Sequence, residues 1–210
     1  MTLRTEHNIT CEAPGCSERA VFHLTWARAR RTESVQHYCD EHAQVALSNH
    51  DFNEPVGPGE LSRTSGARCF DIELVVICET HDEQAVYLRE VRGRRNFPIL
   101  IGIFEATSID RKLQDFKAPR PLTHDAIFSA IQALSGELED VLIDRLDNCQ
   151  IDGVETKMYF AKLRIRQNVR LVSVDVRPSD ALAVALIAEK PIFVADSVLD
   201  ALLSQPRKSK

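Results

Sequence analysis

Four potential metal ligands near the N-terminus constrain the fold of this chain more than any other feature of its sequence. Cys11 and Cys16 form a Cys-x4-Cys pair, and Cys39 and His42 form a Cys-x2-His pair. Three thiolates and one imidazole are typical of a closed tetrahedral Zn²⁺ site, which leaves no open position for catalysis. The pattern therefore predicts a structural zinc site, provided that the chain between the two pairs folds back on itself.

The residues between the two pairs favour a hairpin, which folds the chain back on itself. Residues 21–27 and 34–38 have the composition of two short strands, and residues 30–33 have that of a turn. A hairpin brings both pairs together, and the second pair then lies where a short helix begins near Asp40. This order of hairpin and helix predicts a small treble-clef-like zinc module.

Alternatives remain open for the cysteines and for the fourth ligand. The three N-terminal thiols can also be unpaired and buried, although so small a module has too few apolar residues to fold without a metal. His23 and His37 are further imidazoles, and we expect both to lie on the hairpin. Cys69, Cys78 and Cys149 are predicted to be core thiols without a role as ligands.

Composition divides the chain into segments and sets limits on its class. Residues 1–52 form the predicted zinc module, residues 53–66 form a linker rich in Pro, Gly and Ser, residues 67–204 form the main domain, and residues 205–210 form a disordered tail. The longest apolar run, 181–188, is far shorter than the ~18 residues that a membrane span needs. We therefore expect a soluble cytoplasmic protein with no membrane contact.

The main domain is predicted to be α+β, with a mixed, largely antiparallel sheet packed with helices. A helix is predicted from the helical spacing of Gly102, Ala106, Ile109, Leu113 and Phe116. Phe104 falls on its polar side, which indicates either a second buried surface such as a subunit interface or a first-turn residue covered by a neighbouring loop. The predicted strands are residues 70–79, 85–91, 97–101, 139–146, 157–166, 169–177 and 192–195, and further helices follow Thr123, Pro178 and Asp196.

The sequence of the main domain resembles that of the bifunctional nuclease family from about Phe70 to Leu203. The resemblance is carried by FPILIGIFEATSIDRKLQDFKAPRPLTHD at residues 97–125 and by DVRPSDA at residues 175–181. It implies cleavage of DNA or RNA. The motifs CEAPGCSERAVFHLT and YCDEHA resemble small zinc heads of bacterial protease-regulating proteins, which implies that the zinc module binds a protein partner or assembles subunits.

Phosphodiester cleavage requires a base and positive charge near the phosphate, and the main domain offers both. The candidate catalytic residues, with His124 as general acid or base and the carboxylates as ligands of Mg²⁺ or Mn²⁺, are Glu105, His124, Asp125, Asp175 and Asp180. The candidate phosphate-binding residues are Arg120 and Arg177, together with a basic stripe that we define as Lys162, Arg164 and Arg166. The net charge of −5 means that nucleic-acid binding must depend on such local groups.

Each part of this site also has a purely structural interpretation. Thr123 can cap a helix with Asp125 in its first turn, and His124 at the same helix start can bind a phosphate. The basic stripe alternates with core residues, as the solvated face of a sheet commonly does. Two functions therefore remain open: a metal-assisted nuclease acting on RNA or DNA, and a non-catalytic, zinc-containing regulatory or adaptor protein. In either case we expect a homo-oligomer.

Overall fold

The structure, a computed structural model, describes residues 9–50, 66–151 and 153–203, and it confirms the α+β class. Nearly all of the predicted linker and the whole predicted tail lie outside the described residues. The described strands are β1 (Phe22–Arg28), β2 (Arg31–Tyr38), β3 (Ala67–Cys78), β4 (Glu83–Glu90), β5 (Asn96–Gly102), β6 (Glu137–Ile151), β7 (Val154–Gln167), β8 (Arg170–Val176) and β9 (Ile192–Ala195). The described helices are α1 (Asp40–Asn49), α2 (Ile103–Leu113), α3 (Thr123–Ala133), α4 (Pro178–Ile187) and α5 (Asp196–Leu203).

The described residues form two compact units. The first consists of residues 9–50, 72–89 and 94–114, and the second of residues 66–71, 90–93, 115–151 and 153–203. Strand β3 contributes residues to both units. The domain boundaries expected from composition at residues 52 and 66 stay predictions.

The first unit contains the N-terminal hairpin and the helix that follows it. Strand β1 pairs antiparallel with β2 and with β3, and β4 pairs antiparallel with β5. Leu24, Leu74 and Val76 form a small buried cluster, against which Trp26 and Tyr38 pack. The apolar stripe of α2 is buried at Ala106, Ile109 and Leu113, as its spacing predicts, while Phe104 is 78% exposed.

The second unit is built on a mixed sheet with the strand order β3, β9, β6, β7, β8. Only the β6–β9 pair is parallel among these described strands; the others are antiparallel. Helix α4 contacts α3, β6 and β7. Its residues 181–186 are all buried, which agrees with the apolar character of the helix on every side.

The register of β7 and β8 matches the expected one, but burial does not extend to β8. Leu163 pairs with Val174 and Ile165 with Val172, so these four side chains share a face, as predicted. Leu163 is buried, whereas Val172 and Val174 are 40% and 41% exposed. Helix α4 packs on β6 and β7, and β8 is the last strand of this unit's sheet. The prediction that this face is the core was therefore wrong for Val172 and Val174, whereas Val176 is half-buried.

The start of α3 also differs from the expectation. Leu122, not Thr123, is the N-cap residue, and no side chain caps the helix as Thr123 was expected to do. The backbone N–H of Leu122 instead donates to Oδ2 of Asp125 at 2.9 Å. Asp125 thus satisfies one of the backbone donors that a helix N-terminus leaves unpaired, and its charge suits the positive end of the helix dipole.

Candidate functional site

The four predicted metal ligands meet in the first unit. The ligand atoms of Cys11, Cys16, Cys39 and His42 all lie within 4.8 Å of one another. Cys39 is the N-cap of α1 and His42 lies in the first turn of that helix, which brings Cys39 Sγ within 3.1 Å of His42 Nδ1. Cys11 and Cys39 are buried. A Cys3His cluster of this kind can hold a metal ion and is compatible with zinc.

Protons compete with a metal ion for the sulfur atoms of this cluster, so the metal-bound form is favoured at high pH. The backbone N–H of His42 lowers the pKa of Cys39, but burial and the neighbouring Cys11 and Cys16 raise it to about 11 in the metal-free chain. A metal ion requires thiolates, so its binding must release protons. The residues present therefore fit a tetrahedral metal whose affinity falls as the pH falls.

The alternative fourth ligands lie apart from this cluster. The Nδ1 atoms of His23 and His37 lie 2.7 Å apart, and Nε2 of His23 lies 3.1 Å from Oε1 of Glu79. Neither imidazole belongs to the group of converging ligands. His42 is therefore the imidazole of the cluster.

A second polar site lies in the second unit, where the first turn of α3 faces the first turn of α4. Nε2 of His124 lies 3.1 Å from Oδ1 of Asp180. Arg177, just before α4, donates from Nε to Oδ2 of Asp180 at 2.9 Å and from Nη2 to Oδ1 at 3.0 Å. The side chains of His124 and Asp180 are 10% and 20% exposed, whereas that of Arg177 is 65% exposed. The chain therefore presents a largely buried His–Asp pair beside an accessible guanidinium.

These contacts determine the charge of Asp180. Burial alone would raise the pKa of the Asp180 carboxyl, but the hydrogen bonds and charges of Arg177 and His124 outweigh burial and hold that pKa below its usual value. Asp180 is therefore an anion at neutral pH. An anionic carboxylate at this position orients the His124 ring.

The other predicted catalytic carboxylates occupy separate positions. Asp125 holds the N-terminus of α3, and Asp175 is exposed on β8, opposite Lys162 in the β7 register. Glu105 lies in the first turn of α2, in the first unit. Arg120 is exposed in the segment before α3. The structure thus brings Asp180 and Arg177 to His124, while Asp125 is bonded to the start of the same helix and Asp175 lies on β8.

The basic stripe is paired with carboxylates of the neighbouring strand β6. Lys162 Nζ lies 2.5 Å from Oδ2 of Asp144, Arg164 binds both carboxylate oxygens of Asp140, and Arg166 binds Glu139. The sequence did not predict these acid–base pairs, because strict alternation of side chains along β6 does not place the acids beside the stripe. Two bulges do so: the β6–β7 register shifts between Leu138 and Asp140 and again between Ile143 and Arg145, so that Glu139 and Asp144 are the extra residues.

Comparison with known proteins identifies the family of the chain. A family model described as the bifunctional nuclease domain matches residues 86–205, more than half of the chain. The chain belongs to the bifunctional nuclease domain family. Two uncharacterized proteins of Mycobacterium tuberculosis, Rv1829 of strain H37Rv and MT1877 of strain CDC 1551, are each 36% identical to it over 121 residues, which cover 58% of this chain and 67% of each relative.

Membership of the bifunctional nuclease domain family indicates a nuclease-related function and nucleic-acid binding. The match includes His124, Arg177 and Asp180, and it excludes all four residues of the Cys3His cluster. No helix among the described residues has both the length and the apolar character needed to cross a membrane.

The described part of the bifunctional nuclease domain does not hold a ready carboxylate site for Mg²⁺ or Mn²⁺. Within residues 9–50, 66–151 and 153–203, the N-terminal cluster is the only group of three or more metal-binding side chains whose ligand atoms converge. Asp125 and Asp180 are already hydrogen-bonded within the protein. A catalytic Mg²⁺ or Mn²⁺ ion on the predicted carboxylates therefore stays a prediction.

Proposed function

We propose that this chain hydrolyses phosphodiester bonds in RNA or DNA, and that His124, Arg177 and Asp180 form the reactive site. The observation that carries the proposal is the largely buried His124–Asp180 pair beside the exposed Arg177, within the residues that match the family. A carboxylate that orients a histidine is a recurrent arrangement for general acid–base catalysis.

In this proposal each residue has a separate role. Asp180 holds the His124 ring through Nε2, and the imidazole acts as general acid or base toward water or the leaving oxygen. The N-termini of α3 and α4 both lie at this site, and the positive ends of their dipoles favour a phosphate anion. The Arg177 side chain rotates away from Asp180 to contact phosphate oxygens, because its planar guanidinium can donate two parallel hydrogen bonds to them.

The remaining predicted residues support this proposal less directly. Arg120 is exposed and stays the second candidate phosphate contact. The cations of the basic stripe can bind a phosphate backbone only in exchange for Glu139, Asp140 and Asp144, which reduces their contribution. Dependence on Mg²⁺ or Mn²⁺, with Glu105, Asp125 and Asp175 as carboxylate ligands, remains a prediction for the assay to test.

The experiment uses the full chain and fluorescent single-stranded RNA and DNA. Buffers are freed of divalent ions with a resin instead of a dissolved chelator, so that the N-terminal metal content can be kept constant and measured, and Mg²⁺ or Mn²⁺ is then added. We expect cleavage by the unmodified protein and its loss in the double variant His124→Ala, Asp180→Ala. Asp147→Asn is the matched control, because Asp147 also binds an arginine in this unit but is exposed.

Two outcomes would contradict this proposal in different ways. Equal cleavage by the unmodified protein and by the double variant would show that the chain is a nuclease but that His124 and Asp180 are not its reactive site. Absence of cleavage with either ion and either nucleic acid would refute the proposed nuclease activity. The alternative function, a non-catalytic adaptor, would then be favoured. The observation that supports the adaptor is the exposure of Phe104 and Leu100 in the first unit, because exposed large apolar side chains mark contact surfaces.

We also propose that the Cys3His cluster holds one structural Zn²⁺ ion and that the chain acts in the cytoplasm as a homo-oligomer, with the zinc module available to a protein partner. The four converging donors and the buried thiols support the zinc assignment. Zinc analysis of the purified protein, with Cys16→Ser as the comparison, tests it; the same zinc content in both would refute it.

A further inference from the structure

A second cysteine–histidine contact lies at the end of β3, outside the residues that match the family. Cys78 is the last residue of the strand, and its Sγ lies 3.1 Å from Nδ1 of His81 and 3.2 Å from Oγ1 of Thr80. The prediction that Cys78 is a buried thiol is confirmed, since the residue is 4% exposed. Its sulfur, however, is hydrogen-bonded to two polar side chains, and both of those residues are exposed.

The turn that carries His81 is held in place by a buried glutamine. Oε1 of Gln84 accepts the backbone N–H of Cys78 at 2.5 Å, and its Nε2 donates to the carbonyls of Cys78 and His81 at 3.2 and 2.6 Å. Gln84 is 2% exposed. Three hydrogen bonds from one buried side chain fix both ends of the turn, so the contact between sulfur and imidazole is built into the fold.

His81 Nδ1 also lies 3.1 Å from Thr80 Oγ1, so the sulfur, the hydroxyl and the imidazole form one small cluster. Glu79 uses one carboxylate oxygen for Arg19 and the other for His23. Among the described residues, only the N-terminal cluster unites three or more converging metal-binding side chains. The Cys78–His81 pair therefore has the parts of an activated nucleophile: a sulfur and an imidazole nitrogen within hydrogen-bonding reach.

We propose that Cys78 is a modification site of this chain, at which His81 activates the thiol toward peroxides and other electrophiles. The nucleophile is the thiolate, so a base that takes the thiol proton increases the reaction rate. With hydrogen peroxide, the sulfur attacks one oxygen and the O–O bond breaks. Sulfur is oxidised to sulfenic acid, the second oxygen is reduced to hydroxide, and the thiol proton passes through His81 to give water.

The test compares cysteines within one protein sample. The full-length, zinc-loaded chain is treated with iodoacetamide at pH 7, and in parallel with hydrogen peroxide and dimedone, which traps sulfenic acid. Mass spectrometry then measures the rates at Cys69, Cys78 and Cys149, while bound zinc protects the N-terminal thiols. We expect Cys78 to react about tenfold faster than Cys149, although Cys149 is less buried, and to carry the dimedone adduct.

Two variants decide whether His81 activates the thiol or merely covers it. His81→Gln keeps a hydrogen-bonding side chain but cannot take up the proton, so we expect the rate at Cys78 to fall about tenfold. A rate that rises in this variant would show that His81 only shields the sulfur, and the proposal would be overturned. An unchanged rate, or a wild-type Cys78 that reacts more slowly than Cys149, would overturn it as well. Asp82→Asn, an exposed change in the same turn, serves as the control and should leave the rate within twofold.

Discussion

Replacing Asp180 with asparagine tests the central contact of the second unit, because it removes the charge while keeping the shape of the side chain. The carboxylate of Asp180 accepts two hydrogen bonds from Arg177 and one from His124. An exposed arginine pair contributes at most about 1 kcal/mol, whereas a hydrogen bond to a charged group that is largely buried contributes about 1.5–3 kcal/mol. Asparagine can still accept one bond, so we expect a loss of about 2 kcal/mol in the free energy of unfolding at pH 7.

The pH dependence of this loss follows from the lowered pKa of Asp180. Because the folded-state pKa lies below the unfolded value, the carboxylate stabilises the fold fully at pH values above the unfolded pKa. That stabilisation is lost as the pH falls through the folded pKa, where both states become protonated. The difference between wild type and Asp180→Asn should therefore be constant from pH 8 to about pH 5 and shrink below about pH 4.

Urea unfolding of the zinc-loaded chain, followed by far-UV circular dichroism, measures this difference. Hydrogen exchange at the starts of α3 and α4 shows whether the loss is local. Trp26 is the only tryptophan and lies in the first unit, so its fluorescence reports separately on a region that the change should not affect. Asp147→Asn is the control, since both partners of the Asp147–Arg145 pair are about half exposed. Equal losses in the two variants, or a loss for Asp180→Asn that persists unchanged at pH 3, would refute this reasoning.

Three further changes have defined expectations. Arg164→Met leaves the largely buried Asp140 without its bidentate partner and should lower the free energy of unfolding by about 3 kcal/mol in urea titrations, while adding Asp140→Leu should restore most of that loss. Gln84→Leu leaves the backbone groups of the β3–β4 turn unpaired and should lower the thermal midpoint and deprotect the Cys78 amide in hydrogen exchange. Cys16→Ser should abolish stoichiometric zinc binding and selectively increase exchange in the β1–β2 hairpin and α1, as measured by metal analysis and mass spectrometry.

Local patterns in the sequence predicted the elements and one of the two sites. The spacing of Cys11, Cys16, Cys39 and His42 was sufficient because a hairpin and a helix start bring ligands together over short stretches of chain. Alternation predicted the β7–β8 register for the same reason. The His124–Asp180 contact joins residues 56 positions apart, so the sequence placed each at a helix start but did not pair them.

Alternation along the strands did not predict that acids of β6 pair with the basic stripe. Because these cations are paired, the stripe is a weaker candidate for phosphate binding than the sequence suggests. An unbroken β6 would place Leu138 and Asp140 on one face, yet Leu138 is opposite Ile165 on the core side and Asp140 is opposite Arg164 on the other. The bulge between them reverses the alternation and supplies Glu139 as an extra acid. Since β6 acids pair with every cation of the stripe, Arg177 is an accessible cation beside His124, and its partner Asp180 also contacts the histidine. A phosphate that draws Arg177 away would leave Asp180 in contact with His124, which links substrate binding to the contact that positions the proposed base.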